Sequence, residues 1–267
     1  MKFLEVDGLN IENSALPVVQ RTPEGRAMGF IPGWKSMIDA NYMPEIIPTE
    51  GMSVLDRVQF KNIYALVGQN ADIKPILIDG PNGNKLLDCV NPRLAQFDPS
   101  IDIPADEWSI FSVFVPSSLV TGDYRTRNYI KQVPEGAGLC TQISFSIISG
   151  AINVYGQSGN GAGMTARLSS RTGVLVVDQL NLLVVTFSTK LGFKIFVNGK
   201  LVGESLTDTT PDSIGRLAGS YRMHRFFRGH LGMTGMLGID LGSTKNQDFR
   251  KAIEGFLMSK YSISPAG

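Results

Sequence analysis

Two groups of residues in this chain have types and spacing that invite a chemical reading, one acidic and one basic. The acidic group is "FDPSIDIPADEW", which carries Asp98, Asp102, Asp106 and Glu107. Paired carboxylates facing each other across a cleft cleave glycosidic bonds, one as general acid and the other as nucleophile or base. Carboxylates converging from a tight turn bind calcium, which takes about six to eight oxygens. Here Pro99 and Pro104 interrupt the run, and Asp98, Asp102 and Asp106 lack the tight spacing of a calcium loop. The stretch reads as a solvated loop leading into a strand. "TDTTPD", with Asp208 and Asp212, is no better.

The basic group is "RMHRFFRGH". In an extended chain Arg222, His224, Phe226, Arg228 and His230 project from one side, and Met223, Arg225 and Phe227 from the other. Such a side could grip an acidic sugar or the carboxylates of a neighbouring subunit. The competing reading is a solvated outer face paired with nearby acids. His224 and His230 are the only histidines. They are too few to ligate a transition metal without a carboxylate beside them. No Gly-x-Ser-x-Gly elbow offers either of them a nucleophile. "GQSGNGAGMTARL" lacks the Lys-Ser/Thr of a phosphate-binding loop and reads as a hairpin tip or surface loop. The expectation is therefore no catalytic residue, no metal and no cofactor.

Composition narrows the rest. With 267 residues, 43% hydrophobic and 18% charged, the chain is that of an ordinary globular protein. It is long enough to bury roughly 75% of its unfolded surface. Its 29 glycines favour turns and strands over long helices. A net charge of +1 creates no field that would draw it to nucleic acid. Cys89 and Cys140 stand far apart and read as buried thiols. "MKFLEVDGLN" is not a secretory signal, and no apolar run approaches the roughly 18 residues of a membrane-inserting span. The expectation is a soluble protein made in a cytoplasm.

Residues 1–50 carry Pro17, Pro23, Pro32, Pro44 and Pro48 at short intervals, which breaks up regular ladders. They read as an extended arm that wraps the main domain or reaches a partner, with one short helix where Trp34, Met37, Ile38 and Tyr42 fall near helical spacing. An arm of this kind predicts that removing residues 1–45 leaves the domain folded but unable to assemble. From residue 51 onward the pattern is β. "KPILIDGPNGNKLLDCV" is a strand, a Pro-Asn-Gly turn and a returning strand. "WSIFSVFVP", "TQISFSIIS", "AINVYGQ", "GVLVV" and "NLLVVTFS" follow as further strands, and "FFRGHLGMTGMLGIDL" as one bent at its glycines. Many short strands at turn-punctuated intervals predict a two-sheet antiparallel sandwich. The chain closes with a helix over 244–261. Thr244 and Gln247 form a capping box there, and Phe249, Ile253, Phe256, Leu257 and Tyr261 share one face.

The sharpest local signal is "FKIFVNGKLVGESL". Asn198-Gly199 suits a two-residue type I′ turn, in which both residues take positive φ. That turn sets Val197 opposite Lys200, Phe196 opposite Leu201 and Ile195 opposite Val202. Phe193, Ile195, Val197 and Val202 then share one face, and Phe196 and Leu201 the other. A sheet wet on one side alternates more cleanly. Both faces are therefore covered, one by the opposing sheet and the other by the helix, the arm or a partner. Phe196 and Leu201 become candidate partner-facing residues.

"NLLVVTFSTKLGFKIFVNGKLVGES", "RFFRGHLGMTGMLGIDL" and "FRKAIEGFLMSKYSI" together resemble the concanavalin A-like, laminin G-like jelly-roll domains of bacteriophage and bacterial proteins. Glu254, Gly255, Phe256, Leu257, Lys260 and Tyr261 match the terminal helix of many such members. A tryptophan that many relatives carry just before "LLVVTF" is missing, with Leu180 nearby. The resemblance is specific over about 181–262 and implies a jelly-roll sandwich over 51–267. Glucanases of that superfamily use a Glu-x-Asp-x-Glu triplet on one strand. No such triplet occurs here.

The main expectation is accordingly a non-enzymatic structural component of a bacteriophage virion, on the tail or decorating the capsid. It would be made in the host cytoplasm, homo-oligomeric, and joined to other virion proteins through its arm. The alternative is a carbohydrate-binding adhesion module for surface glycans. A divergent glycoside hydrolase stands third.

Overall fold

Apolar runs bounded by turn residues form strands in this chain, and their pairing is antiparallel throughout. The computed structural model describes residues 28–43, 52–58, 61–65, 75–90, 97–98, 106–118, 125–131, 140–146, 150–157, 164–205, 221–225 and 229–266. The first sheet runs β14 (Lys200–Ser205), β13 (Gly192–Val197), β12 (Asn181–Ser188), β7 (Glu107–Pro116), β16 (Gly229–Leu237), β5 (Lys85–Asp88) and β4 (Ile76–Asp79). An eighth strand, β1 (Trp34–Asp39), shares one edge of β16 with β5. The second sheet runs β11 (Met164–Ser169), β10 (Ile152–Gln157), β9 (Cys140–Ser146), β8 (Arg125–Lys131), β15 (Tyr221–Arg225), β6 (Phe97–Asp98), β3 (Lys61–Ala65) and β2 (Met52–Asp56). The architecture is a mainly-β antiparallel sandwich closed by one long helix, α1 (Gln247–Lys260), as the turn spacing predicts.

The central strands β7 and β12 are buried along both faces from Trp108 and Asn181 onward, because the first sheet is the middle of three layers. Toward the second sheet, Trp108, Ile110, Phe114, Val185 and Phe193 pack with Ile152, Val154 and Leu168. Trp108, Phe187 and Phe193 cluster there, with ring centroids 4.6 to 6.0 Å apart. Toward the helix, Phe111, Val113, Val184 and Phe196 pack with Ile253, Leu257 and Tyr261. Each fully buried side chain of this kind contributes about 1.5–3 kcal/mol.

The hairpin has the expected turn, with Asn198 at φ 48° and Gly199 at φ 81°. Val197 pairs with Lys200 and Phe196 with Leu201, as expected. Beyond that the register shifts, and Ile195 pairs with Gly203 instead of Val202. The bulge still leaves Val202 packed against the inter-sheet core. Phe196 is covered by α1, with the Arg250 guanidinium 4.0 Å from its ring centre. The partner-facing role expected of Phe196 is thus filled from within the chain. Leu201 stays 44% exposed.

Several elements differ from expectation. Trp34–Asp39 is a strand, not a helix, because pairing with Met233–Leu237 of β16 outweighs a weak helical spacing. Ile38 and Ala40 sit in the inter-sheet core, so residues 34–40 belong to the sandwich. "GVLVV" is no strand: residues 170–180 form a loop, since the Asn181 side chain turns the backbone there back on itself. The capping box is absent. Thr244–Asn246 form a 3-10 turn, and α1 starts at Gln247 without a side-chain cap. Its first turn instead follows Asp240, whose carbonyl accepts Ser243 Oγ and Asn246 Nδ2.

The far end of α1 is closely held. Tyr261 N–H, Ser262 N–H and Ile263 N–H return to Leu257, Ser259 and Met258 carbonyls, with Ser262 at φ 53°. This is a left-handed C-terminal stop, and buried Ile263 anchors the tail that follows. The Pro81-Asn82-Gly83 turn forms as expected, and it also caps the helix. Asn82 and Asn84 donate to the carbonyls of Ser259 and Lys260.

Candidate functional site

The run Arg222–His230 does not form one extended side. Arg222 and His224 lie on β15 in the second sheet, whereas His230 lies on β16 in the first. Phe226 and Arg228 fall outside the described residues. The chain changes sheets between 225 and 229, so alternation along a single strand does not apply. His230 Nε2 sits 3.4 Å from Asp88 Oδ1, on the neighbouring strand β5. Asp88 Oδ1 also accepts Val90 N–H.

Of the acidic group, Asp98 lies in β6, exposed Asp106 precedes β7, and Glu107 opens it. Asp102, Asp208 and Asp212 fall outside the described residues. Among the described residues no three His, Cys, Asp or Glu side chains group so as to hold a metal ion. Cys89 is buried.

A cleft of about 930 Å³ opens instead beside the edge strand β14. Its walls are β14 itself, the loop 171–180, and the tail after α1. Arg171, Gln179, Lys200, Ser262 and Ser264 supply donors, and Val176 and Leu201 supply apolar surface. Val176 is 45% exposed and Leu201 44%. Among the described residues Glu204 is the lone carboxylate side chain in the lining, and it is bridged by Lys194 at 3.2 Å.

Each wall is fixed by a buried or turn-bound polar side chain. Fully buried Asn181 holds the loop: its Oδ1 accepts Val176 N–H at 3.1 Å, and its Nδ2 donates to Val176 and Gln179 carbonyls at 2.9 and 2.8 Å. Asp178 N–H donates to Pro116 O, and Ser118 N–H to Asp178 Oδ1. The Ser118 hydroxyl and backbone hydrogen bonds hold the Asp178 carboxyl below the usual carboxylate range. Ser170 Oγ accepts Ile152 N–H and donates to the carbonyl of Arg171. Asn198 joins the other two walls. Its Oδ1 accepts Leu182 N–H at 2.7 Å, its N–H donates to Leu182 O, and its carbonyl accepts Ala266 N–H from the tail.

A cleft built this way needs little ordering when a ligand arrives, and that is what preorganised binding requires. Of the candidate residues read from the sequence that are described, the cleft contains Leu201 only. Arg171 and Gln179 carry no motif, and the loop "RTGVLVVDQL" resembles a strand on apolar content. The one usable signal was the Asn-Gly turn, which marks a wall of the cleft without revealing it.

The fold defines a class: a two-layered antiparallel β-sandwich with a helix packed on its outer face. No family model matches the sequence, and no curated protein matches it. Solved structures do match in fold. One is the botulinum neurotoxin serotype D binding domain, at 12% identity and TM-score 0.53, covering 83% of this chain and 52% of that one. Another is the serotype D ligand binding domain in complex with N-acetylneuraminic acid, at 15% identity and TM-score 0.53, covering 86% and 52%. A third is the binding domain of botulinum neurotoxin DC in complex with SialylT, at 10% identity and TM-score 0.51, covering 82% and 51%. This chain spans about half the length of these structures, and at such identities the likeness is one of fold.

Proposed function

We propose that this protein is a non-enzymatic binding module of the concanavalin A-like, jelly-roll type, and that its ligand is a surface glycan held in the cleft beside β14. The observation that carries this reading is the mixed lining on pinned walls. Amide, hydroxyl and cationic donors stand beside aliphatic side chains, on backbone held by Ser170, Asn181 and Asn198. Sugars present hydroxyls on their edges and C–H groups on their faces, and such a lining answers both. Glycoside cleavage needs two carboxylates about 5–10 Å apart. Among the described residues the cleft has one carboxylate side chain, already paired with a lysine. The fold is shared with binding domains, two of them in complex with N-acetylneuraminic acid or SialylT.

The test is a glycan microarray probed with purified chain and with Leu201→Glu, which places a charge on the apolar floor. We expect binding by the native chain, loss in the variant, and unchanged thermal stability, since Leu201 is exposed. An array without signal overturns the reading. So does binding that Leu201→Glu leaves intact.

A second reading is favoured by the terminal segment "EGFLMSKY", which resembles that of phage-encoded jelly rolls. On it the module is a component of a bacteriophage virion, on the tail or capsid surface, assembled as a homo-oligomer with other virion proteins. Copurification of the chain with intact particles supports this reading, and its absence from washed particles removes it.

A further inference from the structure

We infer that the cleft beside β14 selects sugars bearing a carboxylate, with Arg171 as the anchoring cation. The inference rests on the glycan-binding reading above and narrows it. Among the described residues Arg171 and Lys200 are the cationic side chains of the lining, Lys200 with an interaction of its own, and Glu204 is the carboxylate side chain. Lys194, which is outside the lining, stands 3.2 Å from Glu204 and offsets that charge. Among the described lining residues the Arg171 charge therefore meets no carboxylate side chain that is not already paired.

Arg171 is also the better placed of the two to recognise a planar anion. A guanidinium offers parallel donors that match a carboxylate, whereas an ammonium is a point charge. Its backbone is fixed by the Ser170 hydroxyl, which bridges Ile152 N–H and Arg171 O at 2.9 Å each. Gly173, two residues on, takes φ 71° and turns the chain back toward Val176. Arg171 and Val176 thus reach the same cleft from one loop. A sugar carboxylate on Arg171 leaves the ring's C–H face for Val176 and Leu201. Gln179, Ser262 and Ser264 line the same cleft and offer donors to the sugar hydroxyls.

The experiment is isothermal titration of the full chain with N-acetylneuraminic acid, 3′-sialyllactose and lactose, repeated with Arg171→Gln and Arg171→Lys. We expect both acidic sugars to bind and lactose not to. Arg171→Gln should weaken binding by about tenfold or more, the worth of a charge-assisted pair. Arg171→Lys should recover part of that loss. Affinity should fall as salt rises, because the recognised charge is near the surface. Equal binding of lactose, lost in Leu201→Glu but indifferent to Arg171→Gln, overturns the acidic selectivity and leaves the glycan module standing. Binding of sialyllactose that neither variant changes overturns the cleft as the site. If no sugar binds at all, both readings fall.

Discussion

Lys260 Nζ lies 2.5 Å from Asp39 Oδ2, joining the last turn of α1 to the end of β1. The two residues are separated by 221 positions. Asp39 is almost wholly enclosed, and its other oxygen accepts Asn41 N–H and Nδ2. Beside this pair the Tyr261 hydroxyl is pushed far above its ordinary pKa, first by burial and then by the Asp39 carboxylate. The pair is a clasp between the first described strand of the chain and its only long described helix.

Breaking the clasp should be asymmetric. Lys260→Ala leaves a buried carboxylate without its counter-ion, which typically costs about 3–5 kcal/mol. Asp39→Ala leaves a lysine that is 16% exposed and can swing its head toward water. Urea melts should therefore rank Lys260→Ala as the more damaging. Equal losses would show that Asp39 matters chiefly through its bonds to Asn41.

Asn198 should separate conformation from hydrogen bonding. Asn198→Gly keeps the positive φ but orphans Leu182 N–H, at a cost of about 1–2 kcal/mol. Asn198→Ala orphans the same group and adds roughly 1–2 kcal/mol for a left-handed non-glycine residue. Both variants should also weaken binding at the proposed glycan cleft, since this residue joins β14 to the tail. Chemical denaturation and titration of the two variants check both parts.

Two glycines should respond to alanine in opposite senses. A Cβ on Gly235 would fall 2.6 Å from the Phe111 ring and 2.9 Å from the Ser36 carbonyl. Phe111 has little room to yield, because Trp34 meets it edge-on at 5.8 Å. Gly235→Ala should cost about 2 kcal/mol or more. Gly255 lies within α1 with nothing inside 4 Å of an added Cβ. Gly255→Ala should stabilise by about 0.8 kcal/mol through helix propensity. Paired melting curves decide it.

Glu254 carries the clearest pH signature. Burial raises its carboxyl pKa, and the Arg250 guanidinium, 2.7 Å away, only partly opposes this. The folded state therefore holds the proton more tightly than the unfolded state, whose pKa stays near the ordinary 4.5. Between that value and the raised one, the folded chain binds more protons, so stability from this group falls as pH rises. Its contribution is fully present below pH 4.5 and lost above the folded pKa. The stability of the native chain relative to Glu254→Gln should decline through that window and level off above it, as measured by urea melts at successive pH values.

Truncation of residues 1–43 should abolish the cooperative thermal transition. The cut removes β1 and the buried side chains of Ile31, Ile38, Ala40 and Met43. Ile38→Ala alone should cost about 2–5 kcal/mol, as large-to-small core changes do. A truncated chain with an undiminished melt would show that β1 is dispensable.

How far the sequence could be read depends on the range of each interaction. Asn198-Gly199 tolerates positive φ at adjacent residues, as a tight type I′ hairpin turn requires. The turn and its first two pairs were therefore legible. The bulge one pair further was not, because it depends on how Val202 packs against the inter-sheet core. The apolar face of α1 was legible for the same local reason. Its start was not, since Asp240 sets the first turn from outside the helix.

By itself, then, the sequence determined an antiparallel sandwich with a helix at its end, the Asn-Gly hairpin, and cover on both faces of the hairpin's first strand. Each of these follows from periodicity or from a turn whose backbone only certain residues tolerate. Tertiary structure decided the rest. It made Trp34–Asp39 a strand by offering it the edge of β16, and it split Arg222 and His224 from His230 by sending the chain from one sheet to the other. It also brought Arg171, Leu201 and Ser264 to one cleft from three separate segments. Such meetings arise from contacts between residues distant in sequence, and neither spacing nor composition carries any trace of them.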